Sequence, residues 1–343
     1  MVTRLYREDD ANLSLLTRKR IALIGYGNLG RPVALNLRDS GLRLLVGNLE
    51  DIYAERARTD GFEVLTIDQA AQRANVLWML VPDEVMPRVY LEMISPSLKK
   101  GDTLVFASGY NVAFGFIEPP TFVDVIMVAP RMIGAGVRES YLDGRGFLSF
   151  VGVERDASGQ AMATALALAK GIGSLRAGAM PLTFEQEAEL DLFVQQGFMA
   201  ALYQLLNTAI SVLVDRGYPP EAACAELYFS GELAFIFEKV AQVGVLEQAQ
   251  AHSLTSRYGV LSRYERFAEP KIRRQMEAIL EEIRSGAFAQ GWTSEYNSGY
   301  PNLRELMDRF ARWPAWHAED RTLKLLAGEN DGEREDDTRP GRA

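Results

Sequence analysis

The chain is poor in the residues that build disulfide and metal-thiolate frameworks. Among its 343 residues there is one cysteine, Cys224, and there are two histidines, His252 and His317. A lone cysteine cannot close an internal disulfide, and so few thiols and imidazoles exclude a zinc site of the usual Cys/His spacing. An excess of positive charge is also missing: 37 Lys and Arg stand against 46 Asp and Glu, a formal net charge of −9. Nucleic acid and anionic membrane surfaces then have no general electrostatic reason to bind. The opening MVTRLYREDDANLSLL contains acids and lacks the apolar stretch of a signal peptide. No apolar run reads as the roughly 18 residues or more needed to cross a bilayer. Together these absences predict a cytoplasmic protein that meets a small-molecule substrate, with no nucleic acid and no membrane as partner.

Hydrophobic residues make up 48% and charged residues 24% of the chain, which suffices for a sizeable core. At about 150 residues per domain the length predicts two domains. From about residue 20 to 180, short apolar runs (RIALIGYG, LRLLVGN, NVLWMLVP, DTLVFASG, DVIMVAPR, GFLSFVGVE) alternate with amphipathic segments. Strands alternating with helices predict an α/β domain with a doubly wound, mostly parallel sheet of Rossmann type. Beyond LRAGAMPLTFEQEAELD the apolar residues recur at helical spacing, and an all-α domain is expected. The expected boundaries are 1–182 and 183–328, with 329–343 a polar, disordered tail.

IALIGYGNLG sets Gly25, Gly27 and Gly30 in G-x-G-x-x-G order, directly after an apolar strand and at the opening of a helix. Gly25 would make the tight turn, Gly27 would admit the pyrophosphate, and Gly30 would allow close helix–strand packing. The phosphates would meet the free N–H groups of the helix start. The whole loop, with Tyr26, Asn28 and Leu29, is therefore assigned to a nicotinamide dinucleotide. After the second strand come Asn48, Glu50 and Asp51, where an acid that contacts the ribose is expected. The nearest cations, Arg56 and Arg58, lie on the following helix, so NADH is expected in preference to NADPH. The same acids also suit a helix start. Val81, Pro82 and Ser108, behind later strands, complete the expected cofactor contacts.

Beyond these motifs the chain resembles the ketol-acid reductoisomerase family over nearly its whole length, from residue 5 to about 312. The stretches that carry the likeness include DANLSLL, IALIGYGNLG, LVPDEV, DVIMVAP, LAKGIGSLRAG, EAELDLF and RSGAFAQGW. The resemblance implies a Rossmann domain followed by a knotted, deeply threaded helical domain. It also implies a homodimer whose active sites use residues of both subunits. The implied reaction has two steps, a magnesium-dependent alkyl migration in a 2-hydroxy-2-alkyl-3-keto acid and then hydride transfer. Two metal ions acting as Lewis acids need a dense set of carboxylates.

Carried over position by position, that pattern departs from the family. Asp191 matches the first metal carboxylate, but the second falls on Gln195. Glu187, Asp191 and Gln195 at i, i+4 and i+8 would share one helix face. An amide oxygen can coordinate magnesium but neutralises none of its charge, so Mg2+ is expected to bind weakly or not at all. The family's histidine corresponds to Ser108 and its lysine to Arg131. Arginine stays protonated and forks two donors toward an anion, and serine is no general acid near neutral pH. The partner-supplied carboxylate falls on Glu226, with Ser230, if the chain is counted without gaps, or on Glu232 if an insertion is allowed. The serine that holds the substrate carboxylate maps onto Ser253; the adjacent His252 reads as a packed or surface histidine. The function expected is an NAD(P)H-dependent reductase of a small 2-keto acid or derived imine, with isomerisation lost or altered. The alternatives are an authentic acetolactate reductoisomerase and a non-catalytic, cofactor-binding or regulatory protein.

Overall fold

A computed structural model describes residues 4–327, apart from the side chains of residues 314–317; the tail 329–343 and the His317 ring lie outside the described residues. The chain divides into two compact units, Met1–Asp191 and Leu192–Ala343.

The first unit is built on one eight-stranded sheet: β1 (Ile21–Ile24), β2 (Leu44–Gly47), β3 (Glu63–Leu65), β4 (Val76–Met79), β5 (Thr103–Phe106), β6 (Asp124–Pro130), β7 (Ser149–Arg155) and β8 (Ala179–Pro181). The spatial order is β3-β2-β1-β4-β5-β6-β7-β8, and every neighbouring pair is parallel except β6 with β7. The strands are apolar on both sides because both faces are covered, and successive residues go to opposite cores. Ile21, Leu23, Val76, Trp78, Val105 and Ile126 lie in one buried cluster. Their neighbours Ala22, Ile24, Leu77, Met79, Leu104 and Val125 lie in the other.

The covering helices are α1 (Gly30–Asp39), α2 (Ile52–Thr59), α3 (Ile67–Arg73), α4 (Met86–Val89), α5 (Tyr110–Ala113), α6 (Gly134–Leu142), α7 (Ala161–Gly171) and α8 (Phe184–Phe193), whose last two residues belong to the second unit. The strand order reverses between β1 and β4. In open α/β sheets that point, at the carboxyl ends of the strands, opens the crevice in which ligands bind. Strands β3 and β8, three residues each, were not foreseen, and β7, expected from GFLSFVGVE, runs antiparallel to β6. The outer edge of β8 is met by Tyr6, whose N–H donates to the Ala179 carbonyl at 2.8 Å and whose carbonyl accepts from Ala179 N–H at 3.0 Å. Lys170 on α7 donates to the Glu8 and Ala11 carbonyls at 2.9 and 3.1 Å.

The second unit contains no strand among its described residues. Its longer helices include Ala200–Asp215, Glu232–Val243, Leu254–Tyr264 and Pro270–Arg284, and π-helical turns occupy Val194–Met199 and Ala225–Phe229. Ile210, Cys224 and Ala318 form a small buried cluster with Leu227, Tyr228 and Phe229 against it. Many large apolar side chains remain exposed, among them Phe235, Phe237, Leu254 and Tyr258. The expectation that no segment could span a bilayer needs correcting. The helical run Phe184–Asp215 is 32 residues long with a mean hydropathy of 1.6 over its most apolar window, and so qualifies by length and composition.

Candidate functional site

The glycine turn after β1 has the shape a dinucleotide requires. Gly25 sits at φ +105°, a left-handed conformation, and a Cβ there would lie 2.8 Å from the Leu80 carbonyl oxygen. A Cβ on Gly30 would lie 2.3 Å from the Gly25 carbonyl oxygen, so α1 can start only this close to β1 with glycine. At Gly27 nothing lies within 4 Å of that position. The turn therefore leaves open space where a pyrophosphate would approach, and no side chain caps the N-terminus of α1. These residues fit a nicotinamide dinucleotide.

Several of the expected cofactor contacts instead shape the turn from behind. The Tyr26 side chain is 1% exposed; its ring meets Phe62 edge-on at 5.7 Å and its hydroxyl donates to Asp60 at 2.8 Å. Only the main chain of Tyr26 can face a ligand, because the side chain completes the core. Its N–H donates to Asn48 Oδ1 at 3.1 Å, and Asn48 Nδ2 donates to Asp51 at 2.9 Å. Asp51 caps α2 by accepting from Tyr53 and Ala54 N–H, the helix-starting role that acids also suit. Leu29 packs against the core, while Asn28 is exposed. Glu50 projects from this loop and accepts both arms of the Arg58 fork at 2.6 and 2.7 Å, which holds its carboxyl below the usual range. Val81 is half-buried and Pro82 exposed behind β4.

The carboxyl ends of β4, β5 and β6 bring a second set of groups to α8. Arg131, after β6, donates from Nη1 to Glu187 Oε1 at 2.9 Å and from Nη2 to Asp191 Oδ1, and its guanidinium lies 5.1 Å from the Phe150 ring centre. Glu187 Oε2 accepts from the Gly109 N–H at 2.6 Å. A Cβ on Gly109 would lie 2.0 Å from the Phe184 carbonyl oxygen, so glycine lets the β5 loop touch α8. Burial pushes the Glu187 carboxyl up to about 7; the Gly109 hydrogen bond and Arg131 oppose this, and the charges of Asp191 and Asp83 add to it. Asp83, after β4, is raised to about 6 by burial and by the charges of Glu84 and Asp191, against a hydrogen bond from Asn111. Ser108 Oγ accepts from the Tyr110 N–H at 3.2 Å, a local turn contact just ahead of the short α5.

These groups do not suit a pair of magnesium ions. A hard divalent cation needs several oxygen ligands close together. Among the described residues no group of three or more His, Cys, Asp or Glu is arranged to hold a metal. Two of the α8 carboxylates, Glu187 and Asp191, are held by the Arg131 guanidinium.

The remaining expected residues lie in the second unit. Gln195 falls within the π-helical turn Val194–Met199, so the α spacing that linked it to Glu187 and Asp191 ends at Phe193. Glu226 lies in the π turn Ala225–Phe229, Glu232 opens its helix, and Ser253 caps another by accepting from Ser256 N–H at 3.2 Å; all three are exposed. His252 is half-buried and shares a hydrogen bond with Gln248 at 2.9 Å. Sequence reading missed Asp83, Gly109 and Gly134, where a Cβ would lie 1.9 Å from the Asn28 carbonyl oxygen. Asp83 could have been found, since LVPDEV places an acid just past the carboxyl end of a buried strand.

A doubly wound sheet with this turn at its switch point defines a nicotinamide-dependent oxidoreductase of Rossmann type. Residues 15–178 match the model of the acetohydroxy acid isomeroreductase NADPH-binding domain, and residues 184–327 that of the ketol-acid reductoisomerase C-terminal domain. The chain belongs to the ketol-acid reductoisomerase family. It is 41% identical to a ketol-acid reductoisomerase (NADP(+)) of Pyrobaculum aerophilum over 95% of this chain and 100% of that one. It is 40% identical to one of Methanocaldococcus jannaschii, over 89% and 92%. The solved structure of an NADH-preferring ketol-acid reductoisomerase from an uncultured archaeon superposes with a TM-score of 0.89 at 36% identity, covering 94% of this chain and 99% of that one.

Proposed function

We propose that the protein reduces a small 2-keto acid, or an imine derived from one, with a nicotinamide cofactor and without a preceding alkyl migration. One observation carries this reading: Arg131 bridges Glu187 and Asp191, and Asp191 is the one metal carboxylate of the family pattern that this chain keeps on that helix. Bound at the glycine turn, the reduced nicotinamide supplies a hydride. The chain's own residues bind the substrate and move a proton. Arg131 offers fixed N–H donors to an anionic oxygen. Asp83, raised to about 6, holds a proton close to neutral pH at the end of β4.

The second reading is the complete reductoisomerase reaction. Relatives about 40% identical over nearly all of both chains carry that name, and on relatedness alone it is the better supported of the two. Two assays separate the readings. Purified protein with NADH and a panel of 2-keto acids should oxidise the cofactor with EDTA present, and acetolactate should not turn over with magnesium. Brisk, magnesium-dependent turnover of acetolactate would establish the second reading.

NADH preference is supported by Glu50 and its bidentate tie to Arg58, one of the two nearest cations on the helix that follows, and by the NADH-preferring structural relative. A homodimer is supported by the exposed Phe235, Phe237, Leu254 and Tyr258, which a second copy of the chain would cover.

A further inference from the structure

Two carboxylates one helical turn apart, one of them 1% exposed, would ordinarily demand a cation between them. In this protein the demand is met from within the chain. The position of Arg131 is fixed from several sides. Its main-chain N–H donates to the Leu148 carbonyl at 2.8 Å, its guanidinium stacks over Phe150, and its two arms reach Glu187 and Asp191. Glu187 in turn is locked on its other oxygen by the Gly109 N–H. Both Glu187 oxygens are thus engaged, and the anchors come from the start of β7, the β5 loop and α8, all within one compact unit.

We infer that Arg131 is the resident cation of this site: its guanidinium stands where a divalent ion would bind Glu187 and Asp191, and it keeps that ion out. The inference deepens the reductase reading and rests on it for its catalytic meaning. A guanidinium carries one charge and presents planar donors, and that charge repels a second cation brought to the same carboxylates at short range. A metal that took the position between the two acids would have to displace Arg131, and the displaced charge would remain beside it. Arg131 also spends only two of its five N–H groups on the carboxylates. It can therefore hold those acids and still present donors to a substrate carboxylate or carbonyl oxygen, doing with fixed hydrogen bonds what a Lewis acid would do by coordination.

The test uses Mn2+ alone as a paramagnetic stand-in for magnesium, read by electron paramagnetic resonance on the full chain. The wild-type protein should show no saturable Mn2+ site that depends on Asp191. Arg131→Ala should create one, with affinity higher by about tenfold or more, and adding Asp191→Asn to that variant should abolish it. Arg131→Met, which keeps the bulk of the stem and removes the charge, serves as the second variant should the alanine protein fail to fold. A wild-type Mn2+ signal lost on Asp191→Asn would overturn the assignment, and so would soluble, folded Arg131 variants that gain no Mn2+. The spectrum involves no substrate, so failure of the functional reading would appear in the NADH assay and failure of this one in the manganese titration.

Discussion

Replacing Glu187 by glutamine isolates one buried ionisation. The side chain is 1% exposed, and its carboxyl is raised from 4.5 to about 7, burial being the largest cause. Between these values the folded protein keeps a proton that the unfolded chain has released, so stability present below pH 4.5 is lost as pH rises through 7. At about 1.4 kcal/mol per pH unit, the folded state loses about 3 kcal/mol across that window. The Glu187→Gln variant cannot titrate there. Chemical denaturation of both proteins from pH 4.5 to 8 should therefore show wild-type stability falling by about 3 kcal/mol relative to the variant. Asp83 titrates in both proteins, so its contribution largely cancels in the difference. A flat difference, within about 0.5 kcal/mol, would refute the reasoning. A difference rising with pH would mean that the Arg131 ion pair outweighs burial and lowers the carboxyl instead.

Two glycine substitutions probe the neighbouring contacts. Gly27→Ala meets open space, so the thermal midpoint should stay within about 2 °C of wild type, while NADH binding, followed by fluorescence titration, should weaken about tenfold or more. Gly109→Ala would drive a Cβ against the Phe184 carbonyl, and should cost about 3 kcal/mol in denaturant unfolding.

The parts of this protein that sequence exposes are those governed by local periodicity and by backbone need. The runs IALI, VLWM and TLVF, buried on both faces, could be read as parallel strands, and the spacing of Gly25, Gly27 and Gly30 announced the turn. Strands of three residues, such as Glu63–Leu65 and Ala179–Pro181, are too short to show a period. Tyr26 and Asn48 stand inside a ligand motif, yet their side chains serve the turn's own hydrogen bonds and core, a choice made by packing. Arg131 was legible as an anion binder from its chemistry. That its anions are Glu187 and Asp191, 56 and 60 positions away, is a property of how α8 lies across the strand ends. The position of Gln195 was misjudged because helical spacing was carried through a π turn that no residue pattern announced.

The Tyr6 bridge to Ala179 places the first described residues among the foundations of the chemistry. Only two residues separate the strand it clasps from α8, and α8 delivers Glu187 and Asp191 to Arg131. The opening segment, fastened also by Lys170, is thus a hem stitched along the outermost strand. Loosening it would leave the strand's main-chain groups bare and slacken the seat of a helix whose acids must meet a guanidinium to within tenths of an ångström.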